Sequence, residues 1–143
     1  KYLEEISSTI GDSLLSIHRS YLNVLTPIIE KDWLHGISHI TGGGIIENLP
    51  RILPKGLSID FKTHNWKLPY IFKWISDNGN IKFNEMLRVF NCGIGMVIFC
   101  NPKKINVVQN ILSKEKEKPI YLGIVTKNRK KIQLSNLKKS WKI

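Results

Sequence analysis

The chain has 143 residues, 42% of them apolar, with 22 Lys/Arg against 11 Asp/Glu and a formal charge of +11. That length suits one domain with an ordinary core, and a mean hydropathy of -0.13 excludes a disordered or membrane-embedded chain. No apolar run approaches the roughly 18 residues that a membrane helix needs. The charge is uneven: residues 1–102 hold 10 basic and 9 acidic side chains, whereas residues 103–143 hold 12 and 2. The excess is almost wholly lysine, without the arginines and stacking aromatics of a nucleic-acid surface. It reads as a solvated basic face, with 126–143 as a basic C-terminal tail and nucleic acid not expected as a partner.

The first residues, Lys1-Tyr-Leu-Glu-Glu, carry acids and do not form a signal peptide. The start lacks a methionine and reads as a piece of a longer chain, so 1–143 is expected to be a single domain truncated at its N-terminus. Val24 to Asp32 is expected to be helical, with Pro27 tolerated in a first turn. Trp33 to Ile40 is expected to be extended, feeding the three glycines Gly42, Gly43 and Gly44. A short helix should run from Gly44 to Leu49, and Pro50 should stop it. Leu57 to Phe61 alternates as a half-buried strand does. Pro69 to Ser76 shows an amphipathic helical period, followed by a turn at Asp77 to Asn80. Phe83 to Phe90 is helical and Met96 to Cys100 is an inner strand. Lys103 to Ser113 repeats apolar residues at helix spacing, and Lys114 to Lys118 is a charged helix end or loop broken by Pro119. Tyr121 to Val125 and Lys131 to Leu134 are expected to close the fold as short strands. The fold class that follows is α+β, a mixed β-sheet with packed helices.

Cys92 and Cys100 are the two cysteines and no metal-ligand spacing completes them, so they read as reduced core thiols of a cytoplasmic protein. His35 and His39 are four apart, on one face of an extended segment, while His18 and His64 have no constellation around them. No metal site is expected.

Two segments carry candidate chemistry. In Thr41-Gly42-Gly43-Gly44 the missing Cβ atoms allow a sharp turn and let a ligand reach backbone N–H groups. The unpaired amides and positive end of the following helix favour an anion, most often phosphate. Glu47 and Asn48 are expected to face the solvent or ligand side, and Arg51 can offer a bidentate fork to a phosphate. A triple glycine also serves flexible loops and packing corners, and both readings stay open. In the second segment, Glu85 and Arg88 are i,i+3 neighbours, so Glu85 can orient the guanidinium. Asn91 follows at the helix end, ahead of Gly93 and Gly95, where it also suits a plain C-cap.

Read together, His39-Ile-Thr-Gly-Gly-Gly44, Glu47-Asn-Leu-Pro-Arg51, Leu53-Pro54 and Glu85-Met-x-Arg88-x-Phe-Asn-Cys-Gly-Ile-Gly-Met96 resemble the C-terminal half of aminoimidazole ribonucleotide synthetases, the phosphoribosylformylglycinamidine cyclo-ligases of purine biosynthesis. The resemblance runs from about Gly11 to about Val125, most of the chain. It departs at Ile17-His18-Arg19-Ser20-Tyr21, where the family commonly reads Pro-Thr-Arg-x-Tyr, and at Val89, where Thr is usual.

The resemblance implies the C-terminal domain of an ATP-dependent ligase that closes the imidazole ring of formylglycinamidine ribonucleotide. Thr41, Gly42, Gly43, Gly44, Asn48, Arg51, Glu85, Arg88 and Asn91 would then line the nucleotide-substrate cleft. ATP and Mg would be held mainly by an N-terminal half of the same enzyme, and the full-length protein would form a homodimer. The runner-up readings are a related superfamily enzyme, formylglycinamidine ribonucleotide synthetase or selenophosphate synthetase, and a non-catalytic basic binding module.

Overall fold

A computed structural model describes residues 2–127 and 134–141. The chain opens with a small antiparallel pair, β1 (Tyr2–Leu3) and β2 (Ser8–Thr9), followed by α1 (Ile10–Leu14) and α2 (Leu22–Leu25). Thr9 caps α1, its hydroxyl oxygen accepting from the Asp12 N–H at 3.1 Å. The helix expected from Val24 to Asp32 is a single turn, because it starts two residues earlier. Pro27, which has no N–H to donate, therefore falls beyond its end and the chain continues to Glu30 in turns.

β3 (Leu34–His39) pairs antiparallel with β5 (Met96–Cys100), His39 opposite Met96, with a bulge between Leu34 and Gly36. Between them in sequence lie α3 (Gly44–Asn48), β4 (Ser58–Phe61), α4 (Tyr70–Gly79) and α5 (Phe83–Val89). Pro50 does not end the helical path. It sits in the first turn of a 3-10 stretch, Leu49–Arg51, where its missing N–H is not needed. The turn expected at Asp77 to Asn80 belongs mostly to α4, which runs to Gly79 and is capped by Asn80 in the left-handed region at φ 48°.

After β5 come α6 (Ile105–Lys114), β6 (Gly123–Thr126) and α7 (Ser135–Trp141). β6 pairs antiparallel with β4, so the α+β class holds, with its described strands in three antiparallel pairs rather than one mixed sheet. β5, expected as an inner strand, has β3 as its neighbour in a two-stranded sheet. The strand expected at Lys131 to Leu134 lies outside the described residues except for Leu134. Among the described residues, no helix is long and apolar enough to cross a membrane.

One core joins α3 and α5 to β5 and α7 through Ile45, Leu49, Met86, Leu87, Val97, Leu137 and Trp141. The α7 helix was hidden in the sequence by its lysines, yet Leu134, Leu137 and Trp141 form a buried seam at helical spacing. Trp141 Nε1 donates to the Trp66 carbonyl at 2.8 Å, and Trp66 Nε1 donates to the Cys92 carbonyl at 2.9 Å. Those two bonds tie the C-terminal helix to the loop that leaves α5. A second cluster, built on Ile28, Trp33, Val108 and Leu112, packs α6 beside the β3–β5 pair.

Candidate functional site

The glycine bend is built for two different purposes. Gly43 and Gly44 adopt φ values of 96° and 55°, a region that other residues enter only with strain. A Cβ on Gly44 would overlap the Leu87 carbonyl oxygen and lie 2.9 Å from that of Phe90. Gly44 is therefore the point where α3 seats on the end of α5. A Cβ on Gly42 would meet nothing within 4 Å, so that part of the bend is open.

Asn48 is turned inward rather than toward solvent. It is 4% exposed, and its Nδ2 donates to the carbonyls of Gly44 at 2.7 Å and Gly42 at 3.2 Å, with Thr41 at 3.4 Å. Carbonyls left in a bend need a donor, and a buried amide supplies one from the following helix. Arg51 Nη1 donates to Asn48 Oδ1 at 3.3 Å and so steadies that clamp. The Gly44 N–H, which the sequence left free for an anion, donates to the Thr41 carbonyl at 2.9 Å. With five residues, α3 also offers only a short dipole.

Arg88 supplies the charge. Its Nε donates to Glu47 Oε1 at 2.9 Å, so its partner is a carboxylate on α3 rather than Glu85 on its own helix. The reason is the Gly44 contact, which brings the first turn of α3 against the last turn of α5. Gly42, Gly43, Glu47, Glu85, Arg88 and Val89 line one shallow, open depression of about 370 Å³. Thr41, Gly44, Asn48 and Arg51 shape the bend without lining it. Asn91 is also outside: its Oδ1 accepts from the Gly93 N–H at 2.9 Å, turning the chain from α5 into β5.

Two carboxylates and one guanidinium share the depression. The guanidinium keeps donors beyond Nε for an anionic oxygen, and the carboxylates can accept from hydroxyl or amino groups. A group carrying both, such as a ribose phosphate, suits this mixture better than a bare anion. A second hollow, about 730 Å³, lies elsewhere, between β5, α6 and the β4–β6 pair, and shares no residue with the depression. Its walls are mostly apolar, including Leu49, Ile59, Val97, Phe99 and Leu122, with Arg19, His35 and Lys118 also among its lining residues.

Cys92 is fully buried, and burial pushes its thiol up to about 12, so it stays protonated as a core thiol. His35 and His39 do not act together. His35 falls at the β3 bulge and borders the apolar hollow. His39 instead meets His18, their Nε2 atoms 3.4 Å apart, with Tyr21 against both rings. Sequence spacing could not reveal that pair, since the two histidines are 21 residues apart and His18 lies in a loop. Burial raises the Tyr21 phenol; nearby Arg19 opposes that shift and Glu117 adds to it.

The class defined by this fold and site is an α+β domain that presents an open glycine bend and an arginine in one depression. The family model described as "AIR synthase related protein, C-terminal domain" matches residues 2–135, and the chain belongs to that family. A phosphoribosylformylglycinamidine cyclo-ligase of Desulfitobacterium hafniense (strain DSM 10664 / DCB-2) is 39% identical to it over 126 residues, 88% of this chain. The chain spans 37% of the length of that relative.

Proposed function

We propose that this chain is the C-terminal domain of an ATP-dependent cyclo-ligase that converts formylglycinamidine ribonucleotide to aminoimidazole ribonucleotide, ADP and phosphate in de novo purine synthesis. The observation that carries the reading is the placement of Arg88 and the open backbone at Gly42 in one depression, in a chain of this family. The 39% identity to a cyclo-ligase supports the choice of reaction.

In this reading Arg88 binds and offsets phosphate charge, and the bend lets the substrate approach the backbone closely. Glu47 and Glu85 accept from sugar hydroxyls or amidine nitrogens. Asn48 and Arg51 hold the bend in shape without touching substrate, and Asn91 fixes the exit of α5. ATP supplies the phosphoryl group that converts the amide oxygen into a leaving group. As the family resemblance implies, the magnesium ion and most contacts to ATP fall in this reading to an N-terminal half of the same enzyme. That half is the proposed partner, in a cytoplasmic homodimer.

The test joins this chain to the N-terminal half of the Desulfitobacterium relative and offers formylglycinamidine ribonucleotide with ATP. Formation of aminoimidazole ribonucleotide supports the assignment. Turnover only with selenide, or only with formylglycinamide ribonucleotide and an ammonia donor, would move the chain to a sister activity. No turnover by a folded hybrid with any of these substrates would overturn the reading.

A further inference from the structure

The loop that carries His18 is fastened just after it. The Arg19 guanidinium forms an ion pair with Glu117. Two residues further on, Tyr21 lays its hydroxyl so close to Gly95 that a Cβ there would overlap it. His39 is fixed by the β-ladder opposite Met96, and the next residue, Ile40, donates its N–H to the Gly95 carbonyl at 2.9 Å. Both imidazoles are thus presented from one piece of backbone, Gly95–Met96. Their rings stand 5.2 Å apart at 73°, with the Nε2 atoms facing each other at 3.4 Å.

Two nitrogens bound to one tetrahedral metal at about 2.1 Å each are themselves about 3.4 Å apart. The contact is that of a hydrogen bond from one Nε2 to the other; with both protons on Nδ1 instead, each Nε2 keeps a lone pair for a metal. We propose that His18 and His39 form a binding site for a borderline divalent transition metal of the zinc, nickel or copper type, which would pin the 16–21 loop to the end of β3. Imidazole pairs suit such ions and not magnesium, which prefers oxygen, so this site is separate from the metal of the ring-closing reaction. It does not depend on that reaction. Among the described residues, no cluster of three or more His, Cys, Asp or Glu side chains accompanies the pair. Water or another small donor therefore completes the coordination, and the affinity is modest.

Isothermal titration of the chain with zinc chloride at neutral pH, in a buffer that does not chelate, tests the site. One zinc per chain is expected. His18→Ala and His39→Ala should each weaken binding about tenfold or more, on the scale of a lost metal contact. His64→Ala should leave binding unchanged. Far-UV circular dichroism checks that each variant is folded, and His18→Thr provides a second non-ligating variant if His18→Ala is not. A folded wild-type chain that binds no zinc at millimolar concentration would overturn the proposal. So would undiminished binding by either folded His18 variant.

Discussion

Arg88 on α5 reaches across to Glu47 on α3, 41 residues earlier, and the Nε to Oε1 contact at 2.9 Å forms the floor of the candidate site. Both side chains remain substantially exposed, at 64% and 42%. Such a pair contributes at most about 1 kcal/mol to folding. Glu47→Gln should therefore shift stability by no more than about 1 kcal/mol in urea titration. In the reassembled enzyme the same variant frees the guanidinium, so its effect should appear in substrate KM and kcat rather than in folding.

Gly44 and Gly42 should respond in opposite ways to the same change. Gly44→Ala puts a methyl into the Leu87 carbonyl and strains a φ of 55°, which should cost about 3 kcal/mol or more. Gly42→Ala meets open space and should stay within about 1 kcal/mol of wild type. Thermal melts of the two variants provide the comparison. Equal losses would mean that Gly44 is not the seat of α3 on α5.

Asn48→Ala should cost about 1–3 kcal/mol, because it leaves the Gly42 and Gly44 carbonyls without their donor. Asn48→Asp should be worse, since a carboxylate would face carbonyl oxygens. Denaturant unfolding measures both, and an Asp variant as stable as wild type would remove the clamp from the account.

Cys92 gives the pH dependence. An ordinary thiol near 9 ionises in the unfolded chain, while the buried Cys92 thiol is held to about 12. Below pH 9 the thiol is neutral in both states and contributes no pH dependence. Above pH 9 the unfolded chain binds fewer protons than the folded one, so this group makes stability fall as pH rises toward 12. Cys92→Ala should flatten that part of the stability profile relative to wild type. An identical slope in the two proteins would assign the fall to other groups.

The parts of the fold legible in the sequence were those whose signal is local. Strands 34–39 and 58–61, α4, α5 and α6 follow from apolar spacing and from the breakers at their ends. α2 was overdrawn because Pro27 was placed inside a first turn rather than just past a helix end. α7 was missed because a buried seam of three residues is inconspicuous among lysines. At the candidate site, the glycine bend and the exposed Arg88 were legible. Their partners were not, since Arg88 with Glu47 and His18 with His39 are contacts that only chain folding creates. Asn48 carried an ambiguous signal: an amide beside a glycine bend serves equally to bind a ligand or to hold the bend.

The most direct measurement is steady-state ring closure by the chain reassembled with the N-terminal half, wild type against Arg88→Ala. Loss of a charged donor to substrate phosphate should lower turnover by tens-fold or more, on the scale of a lost transition-state contact of about 2–4 kcal/mol. The variant should otherwise keep its fold by circular dichroism. Near-normal turnover of folded Arg88→Ala would remove the guanidinium from the site and contradict the account.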